Sequence, residues 1–206
     1  MKKYCTKCIY ESLPHEKVNF LPQESIFLEG DFLNYVYRIV NGYVKISRIH
    51  SSGDEKIFDV LGPGDYIALL AVLQGKNEYV ASATAINRVE AIRIKNTEVL
   101  KAFQSSEIFK NSCLNCAVTR TILFQNKLFQ ASNIDTEDKI LNALRLLSNR
   151  FGSCKDNYVE MKLPFTKTEL ANIIGIRRET LSRKLSEMRN KNILQIERNI
   201  YKFNRL

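Results

Sequence analysis

The chain has 206 residues, 45% of them hydrophobic and 26% charged, an ordinary globular composition with length for one large core or two modest ones. Its net charge of +9 points to a polyanionic partner but speaks only to non-specific attraction. No run of eighteen apolar residues occurs and Met1-Lys2-Lys3-Tyr4-Cys5 lacks the apolar stretch of a signal peptide, so no membrane partner and a cytoplasmic location are expected.

In that compartment five cysteines read as metal-binding or redox-active groups before a disulfide scaffold. The first two form Cys5-Thr6-Lys7-Cys8 in an N-terminal extension. Residues 20 to 95 then read as all-β. Gly30, Gly42, Gly53 and Gly64 fall eleven or twelve residues apart in turn-like settings, with strand candidates Tyr35–Val40, Tyr43–Ile49 and Lys56–Leu61 between them. That spacing predicts an antiparallel sandwich or roll.

From about Ser106 to Ala131 there is no Pro or Gly, and Phe109, Cys113, Cys116, Ala117, Leu123, Phe124 and Leu128 recur at helical spacing. A helix of about 25 residues is about 38 Å long. A small domain cannot cover that length, so the exposed stripe is expected to meet a second copy, with packing on its own roll as the alternative. A second helix starts at Asp135, an N-cap with Glu137 and Asp138 in its first turn, buries Ile140, Leu144, Leu147 and Phe151, and ends at Gly152. Ser153–Asn157 is expected to be a loop and Tyr158–Leu163 a short strand.

Thr166 with Glu169 three residues on is a capping box that starts a helix at Lys167. That helix buries Leu170, Ala171 and Ile174 and meets Gly175, the residue a tight inter-helix turn needs. The next helix begins near Arg177 and buries Leu181, Leu185 and Met188. Two short helices about a glycine turn form the helix-turn-helix pattern. Arg177, Arg178, Glu179, Ser182, Arg183 and Lys184 face away from the buried stripe, where a recognition helix meets base edges, and Thr166 and Lys167 stand at the start of the first helix. Arg can bond guanine in bidentate fashion and a carboxylate can accept from cytosine N4. Ile193–Ile196 and Ile200–Phe203 flank Glu197-Arg198-Asn199 as a wing hairpin. From Ile176 to Leu206 there are nine Lys/Arg against three Glu, so most of the net charge lies in this last segment. It is the electrostatic footprint of a nucleic-acid-binding element.

Roll, long helix and winged helix-turn-helix in that order resemble the Crp/Fnr family of bacterial regulators over nearly the whole chain. The resemblance is carried by Val40-Asn41-Gly42-Tyr43-Val44-Lys45-Ile46, Leu61-Gly62-Pro63-Gly64-Asp65-Tyr66 and Arg178-Glu179-Thr180-Leu181-Ser182-Arg183. It implies an α+β fold: an N-terminal antiparallel β-roll (a cyclic-nucleotide-binding-like jelly roll), a long central dimerisation helix and a C-terminal winged helix-turn-helix. The expected domains are an extension and sensor over 1–104, a dimerisation helix over 105–133 and a DNA-binding domain over 134–206. It also implies that Glu179 and Arg183 read a TGA core in each half of a near-palindromic duplex site, bound by a homodimer, with RNA polymerase as a further candidate partner. Ser182 looks like the Fnr branch and Arg178 like the Crp branch, which leaves the outer bases open.

Cyclic-nucleotide-binding members hold ribose and phosphate with a Glu and an Arg of the roll. The matching stretch, Ile67-Ala68-Leu69-Leu70-Ala71 through Asn77-Glu78-Tyr79-Val80-Ala81, has no acid at the first place and no Arg at the second. Cyclic AMP is therefore not expected. Cys113-Leu114-Asn115-Cys116 is a second C-x-x-C pair, one helical turn apart on one face. With Cys5 and Cys8 it makes a four-sulfur set that zinc or a [4Fe–4S] cluster would accept. Fnr itself departs from this arrangement, and the closer resemblance is to the Fnr-like (Flp) branch, with a thiol or metal switch. A shared metal site, a thiol–disulfide switch and inert core cysteines all stay open. Two rivals remain: a roll that binds a small effector other than a cyclic nucleotide, and a dithiol redox enzyme. The second is disfavoured because neither pair follows a strand in a βαβ setting.

Overall fold

The computed structural model describes residues 12–51, 53–131, 135–155 and 158–204, and the side chains of all of these except 126–131. The chain divides into two compact units, one ending at Gln125 and the other beginning at Asn126.

The first unit runs β1 (Glu16–Phe20), β2 (Ser25–Phe27), β3 (Tyr35–Asn41), β4 (Val44–Ile49), β5 (Glu55–Leu61), β6 (Tyr66–Ile67), α1 (Leu69–Leu73), β7 (Ser82–Ala85), β8 (Val89–Lys95), α2 (Asn96–Ser105) and, as far as Gln125, α3 (Glu107–Ala131). Its strands form two antiparallel four-stranded sheets, ordered β1-β8-β3-β6 and β2-β7-β4-β5. The four turn glycines predicted from spacing all have positive φ, between 85° and 89°. At Gly42 space as well as conformation demands glycine, because a Cβ there would collide with the Arg88 carbonyl and come within 2.9 Å of Val89 Cα.

The roll's core is built largely on β3 and β8, with α1 packed against β3 and α2 against both. Val36, Ile39, Val44, Val89 and Ile94 are fully buried in this core. Helix α2 adds to the single long helix that the sequence predicts from Ser106, because its apolar residues merge in composition with those that follow.

Helix α3 divides its apolar residues between two faces. Phe109 and Cys113 are buried in the roll's core and Cys116 packs against it, while Ile108, Leu114, Val118 and Ile122 are exposed. Farther along the roll-facing side, Arg120 donates to Asp59 Oδ2 (2.9 Å) and to the Tyr66 carbonyl (3.2 Å). Packing on the roll therefore takes the stripe at 109, 113, 116 and 120, and a different stripe, not picked out by spacing, is left exposed.

The second unit contains α4 (Thr136–Phe151), β9 (Gly152–Lys155), β10 (Tyr158–Lys162), α5 (Lys167–Ile174), α6 (Arg178–Asn190), β11 (Leu194–Glu197) and β12 (Ile200–Asn204). Asp135 caps α4 by accepting from the Glu137 N–H (3.4 Å), and Ile140, Leu144 and Leu147 are buried as expected. Four antiparallel strands lie in the order β11-β12-β10-β9. Here one expectation is corrected: residues 152–155 pair with β10 in register from Gly152↔Met161 to Lys155↔Tyr158 and form an edge strand, not a loop. All four residues are exposed, so no alternation of apolar and polar residues marks the strand in the sequence.

Candidate nucleic-acid interface

The start of α5 is fixed by the capping box read in the sequence. The Glu169 N–H donates to Thr166 Oγ1 (3.2 Å), the Thr166 N–H donates to Glu169 Oε2 (2.9 Å), and the Thr166 hydroxyl donates to the same oxygen (3.1 Å). Both directions of the hydroxyl are thus taken up in starting the helix, while Lys167 stands exposed beside it. Gly175 ends α5 at φ +80°; a Cβ there would meet nothing, so conformation alone calls for glycine. Arg177 is the N-cap of α6.

Helix α6 buries Leu181, Leu185 and Met188. At 100° per residue Glu179 and Arg183 point the opposite way, together with Ser186. Arg177, Arg178, Glu179, Arg183 and Ser186 are exposed, and Ser182 is half-buried on the flank. Among the described residues Arg177, Arg178 and Glu179 form no ion pair. Their charges face solvent uncompensated, as a site for a polyanion requires.

Lys184 is placed differently from the others. It lies on the flank beside the core, its side chain only 21% exposed, with its ammonium 2.9 Å from Glu187. Arg183 reaches the same carboxylate at 3.3 Å from an exposed position. The Lys184 hydrogen bond and the two nearby cations hold the Glu187 carboxyl below the usual glutamate range. Lys184 is therefore engaged inside the domain, and Arg183 makes a longer contact that exchange with a ligand costs little. Ser186 was missed by the sequence reading, although it follows Glu179 by seven residues and Arg183 by three and so shares their face. At the far end Lys191 pairs with Glu137 of α4 at 2.8 Å.

This geometry meets a consistent set of relatives. Residues 17–106 match the family described as a cyclic nucleotide-binding domain, and residues 139–205 match the Crp-like helix-turn-helix domain. A CRP-like cAMP-activated global transcriptional regulator of Mycobacterium tuberculosis is 24% identical over 182 residues, covering 88% of this chain and 81% of that one. A global nitrogen regulator of Synechococcus elongatus is 25% identical over 187 residues, covering 90% and 84%. The structure of FixK2 from Bradyrhizobium japonicum shares the fold at a TM-score of 0.81 and 20% identity, over 94% of each chain. The chain belongs to the Crp/Fnr family. It is a DNA-binding transcription regulator and not an enzyme.

In this Crp/Fnr regulator the stretch that resembles a nucleotide site is filled from within. Leu69 is buried, and the Tyr79 ring is buried and stacked on Phe27 with centroids 3.5 Å apart. The Tyr79 hydroxyl donates to the Tyr35 carbonyl at 2.8 Å. Burial pushes the Tyr79 phenol above its ordinary range, so it stays neutral. An open hollow of about 630 Å³ beside it is lined by Glu29, Arg48, Lys76, Glu78 and Tyr79 among others. Its guanidinium is already occupied, since Arg48 Nε donates to Glu29 at 2.8 Å.

Of the cysteines in this Crp/Fnr regulator, Cys113 is buried and Cys116 partly buried, one turn apart on the roll-facing side of α3. Cys5 and Cys8 lie outside the described residues. Among the described residues no group of three or more His, Cys, Asp or Glu is placed to hold a metal. No described helix is long and apolar enough to cross a membrane.

Proposed function

We propose that this Crp/Fnr regulator binds, as a homodimer, a near-palindromic duplex site with TGA-containing half-sites, and that its signal enters through cysteines and not through cyclic AMP. The observation that carries the DNA reading is the pairing of Glu179 and Arg183 on the solvent face of α6, with Arg177 and Arg178 exposed at its start. A lone carboxylate among cations weakens attraction to phosphate, so its place on the reading face makes sense through a base contact. Arg183 then reads guanine and Glu179 accepts from cytosine N4, Arg177 and Lys167 contact phosphates, and Arg178, the place where the Crp branch reads an additional guanine, faces an outer base.

The test is binding to duplexes that carry the TGA half-sites or single-base changes within them. Arg183→Ala is expected to cost about 1–3 kcal/mol on the cognate site and to lose discrimination at one base pair. An equal loss on random duplex makes Arg183 a phosphate contact and removes the base-reading role.

The lining of the roll supports a signal other than cyclic AMP. An anionic cyclic phosphate needs a cation within the roll to meet it; Tyr79 occupies the interior, Arg48 is tied to Glu29, Glu78 adds a repelling carboxylate, and Lys76, the remaining lining cation, is exposed to solvent. Two sulfurs on one face of α3 supply half of a four-thiolate set, and Cys5 and Cys8 are the candidates for the other half. Zinc there would brace the site, and an iron–sulfur cluster would make it sensitive to oxygen. Protein purified without oxygen is expected to contain zinc, or iron with sulfide, and a Cys116→Ser variant to lose it. Metal-free protein whose DNA affinity ignores oxidants removes the cysteines from the signal.

A further inference from the structure

We propose that Glu187 is a positioning residue for base reading: anchored by Lys184, it holds Arg183 away from Glu179, so that the two reading groups meet DNA without first pairing with each other. The proposal rests on the base-reading role given above to Glu179 and Arg183 and deepens it.

Arg183 has an acid one turn away on either side, Glu179 four residues before it and Glu187 four residues after it. Side chains at this spacing can meet on a helix in either direction. A helix left to itself prefers the Glu179–Arg183 pair, because an acid on the N-terminal side of a base agrees with the helix dipole. That pair would tie the carboxylate that accepts from cytosine to the guanidinium that donates to guanine. The structure holds the other one. Arg183 Nη1 donates to Glu187 Oε1 at 3.3 Å, and among the described residues Glu179 forms no ion pair.

Lys184 reverses the preference. Its ammonium lies 2.9 Å from Glu187 Oε2, and its largely covered side chain leaves it little freedom to go elsewhere. Each oxygen of Glu187 therefore has its own cation, Arg183 on one and Lys184 on the other. The Lys184 hydrogen bond, more than any other influence, keeps the carboxyl ionised. Glu187 is thus already ordered when Arg183 takes a partner, whereas the exposed Glu179 would have to give up its freedom to compete. In other respects Glu187 is poorly placed. An acid in the last turn of α6 opposes the helix dipole and repels phosphate.

The contact also leaves the guanidinium usable. Arg183 spends Nη1 on Glu187 and keeps Nε and Nη2, an adjacent pair of donors of the kind that guanine O6 and N7 accept together. Its side chain is 67% exposed, so that edge is open to a base.

The test uses Glu187→Ala, Glu187→Gln, Glu179→Ala and the Glu179→Ala/Glu187→Ala double variant in the full chain. Each is measured for thermal unfolding and for binding to the cognate duplex, to single-base changes within TGA and to random duplex. Glu187→Ala is expected to leave Tm nearly unchanged and to weaken the cognate duplex several-fold. Random duplex should bind as before or more tightly, since a negative charge has gone, so discrimination falls. Glu187→Gln keeps an acceptor for both cations and is expected to restore most of the discrimination. Without Glu179 there is nothing for Arg183 to be kept from, so in that background Glu187→Ala should cost clearly less discrimination at the guanine. An equal cost with and without Glu179 overturns the positioning role. Equal tightening on every duplex makes Glu187 a charge only, and a lowered Tm with equal loss on every duplex makes it a structural residue; either overturns the proposal. Wild-type protein that does not distinguish TGA from random duplex overturns the base reading and this proposal together. Wild-type discrimination that survives intact in Glu187→Ala overturns this proposal alone.

Discussion

Thr166 answers two demands with one hydroxyl, donating to the Glu169 carboxylate and accepting from the Glu169 N–H. Loss of a Thr cap costs about 1 kcal/mol. Thr166→Ala should therefore lower Tm by several degrees, and Thr166→Ser should restore it, with DNA affinity measured well below Tm unchanged by either. A loss of affinity without a loss of stability would place the hydroxyl on DNA instead. Residues of this kind are legible in a sequence when their partner is local, as in Thr166–Glu169, or when the backbone dictates them, as at Gly42 and Gly175. Glu179 and Arg183 were legible because helical spacing alone sets their face. Lys184 was not, because its direction depends on Glu187, three residues on, competing with solvent for its ammonium. Asn199 was seen only as part of a turn, since its carbonyl partners lie 34 and 36 residues away.

At the scale of elements, the strands of the roll emerged where turn glycines bound them: Tyr35–Asn41, Val44–Ile49 and Glu55–Leu61 lie within a residue or so of expectation. The elements that escaped notice are those whose reason lies elsewhere in the chain. Strand β9 exists because Tyr158–Met161 offers it a ladder, and its own side chains carry no sign of it. Helix α2 is short, buries Val99 and Ala102 against the sheet, and merges in composition with the helix that follows. In α3 the spacing showed apolar residues but not their division. Phe109, Cys113, Cys116 and Arg120 go to the roll because β5, β6 and the core supply partners for them, and partners are tertiary facts.

At the scale of the molecule, the exposed stripe of α3 is the feature that a single copy leaves unfinished. A helix apolar on two opposite sides is buried on both in its working state, and the roll covers one. Leu114, Val118 and Ile122 are each about half exposed, so covering them in two copies recovers roughly 6 kcal/mol at ~2 kcal/mol for each fully buried side chain. Association costs about 4–15 kcal/mol, so those three alone lie at the lower edge of what a dimer needs. Leu123 and Phe124, also exposed, follow Cys116 by seven and Arg120 by four and so continue the roll-facing side, which leaves the seam to draw its further area from outside the stripe. In the proposed homodimer, two-fold symmetry would bring two copies of α6 to half-sites about 34 Å apart, which is what the proposed near-palindrome requires. Val118→Asp should therefore convert a dimer into monomers in sedimentation or light scattering while the roll keeps its Tm, because Val118 is not part of the roll's core. The same variant should lose the dependence of DNA affinity on half-site spacing, since one α6 at a time then meets DNA. A variant that stays dimeric, with spacing dependence intact, would mean that another surface joins the copies and that the exposed face of α3 serves a different partner.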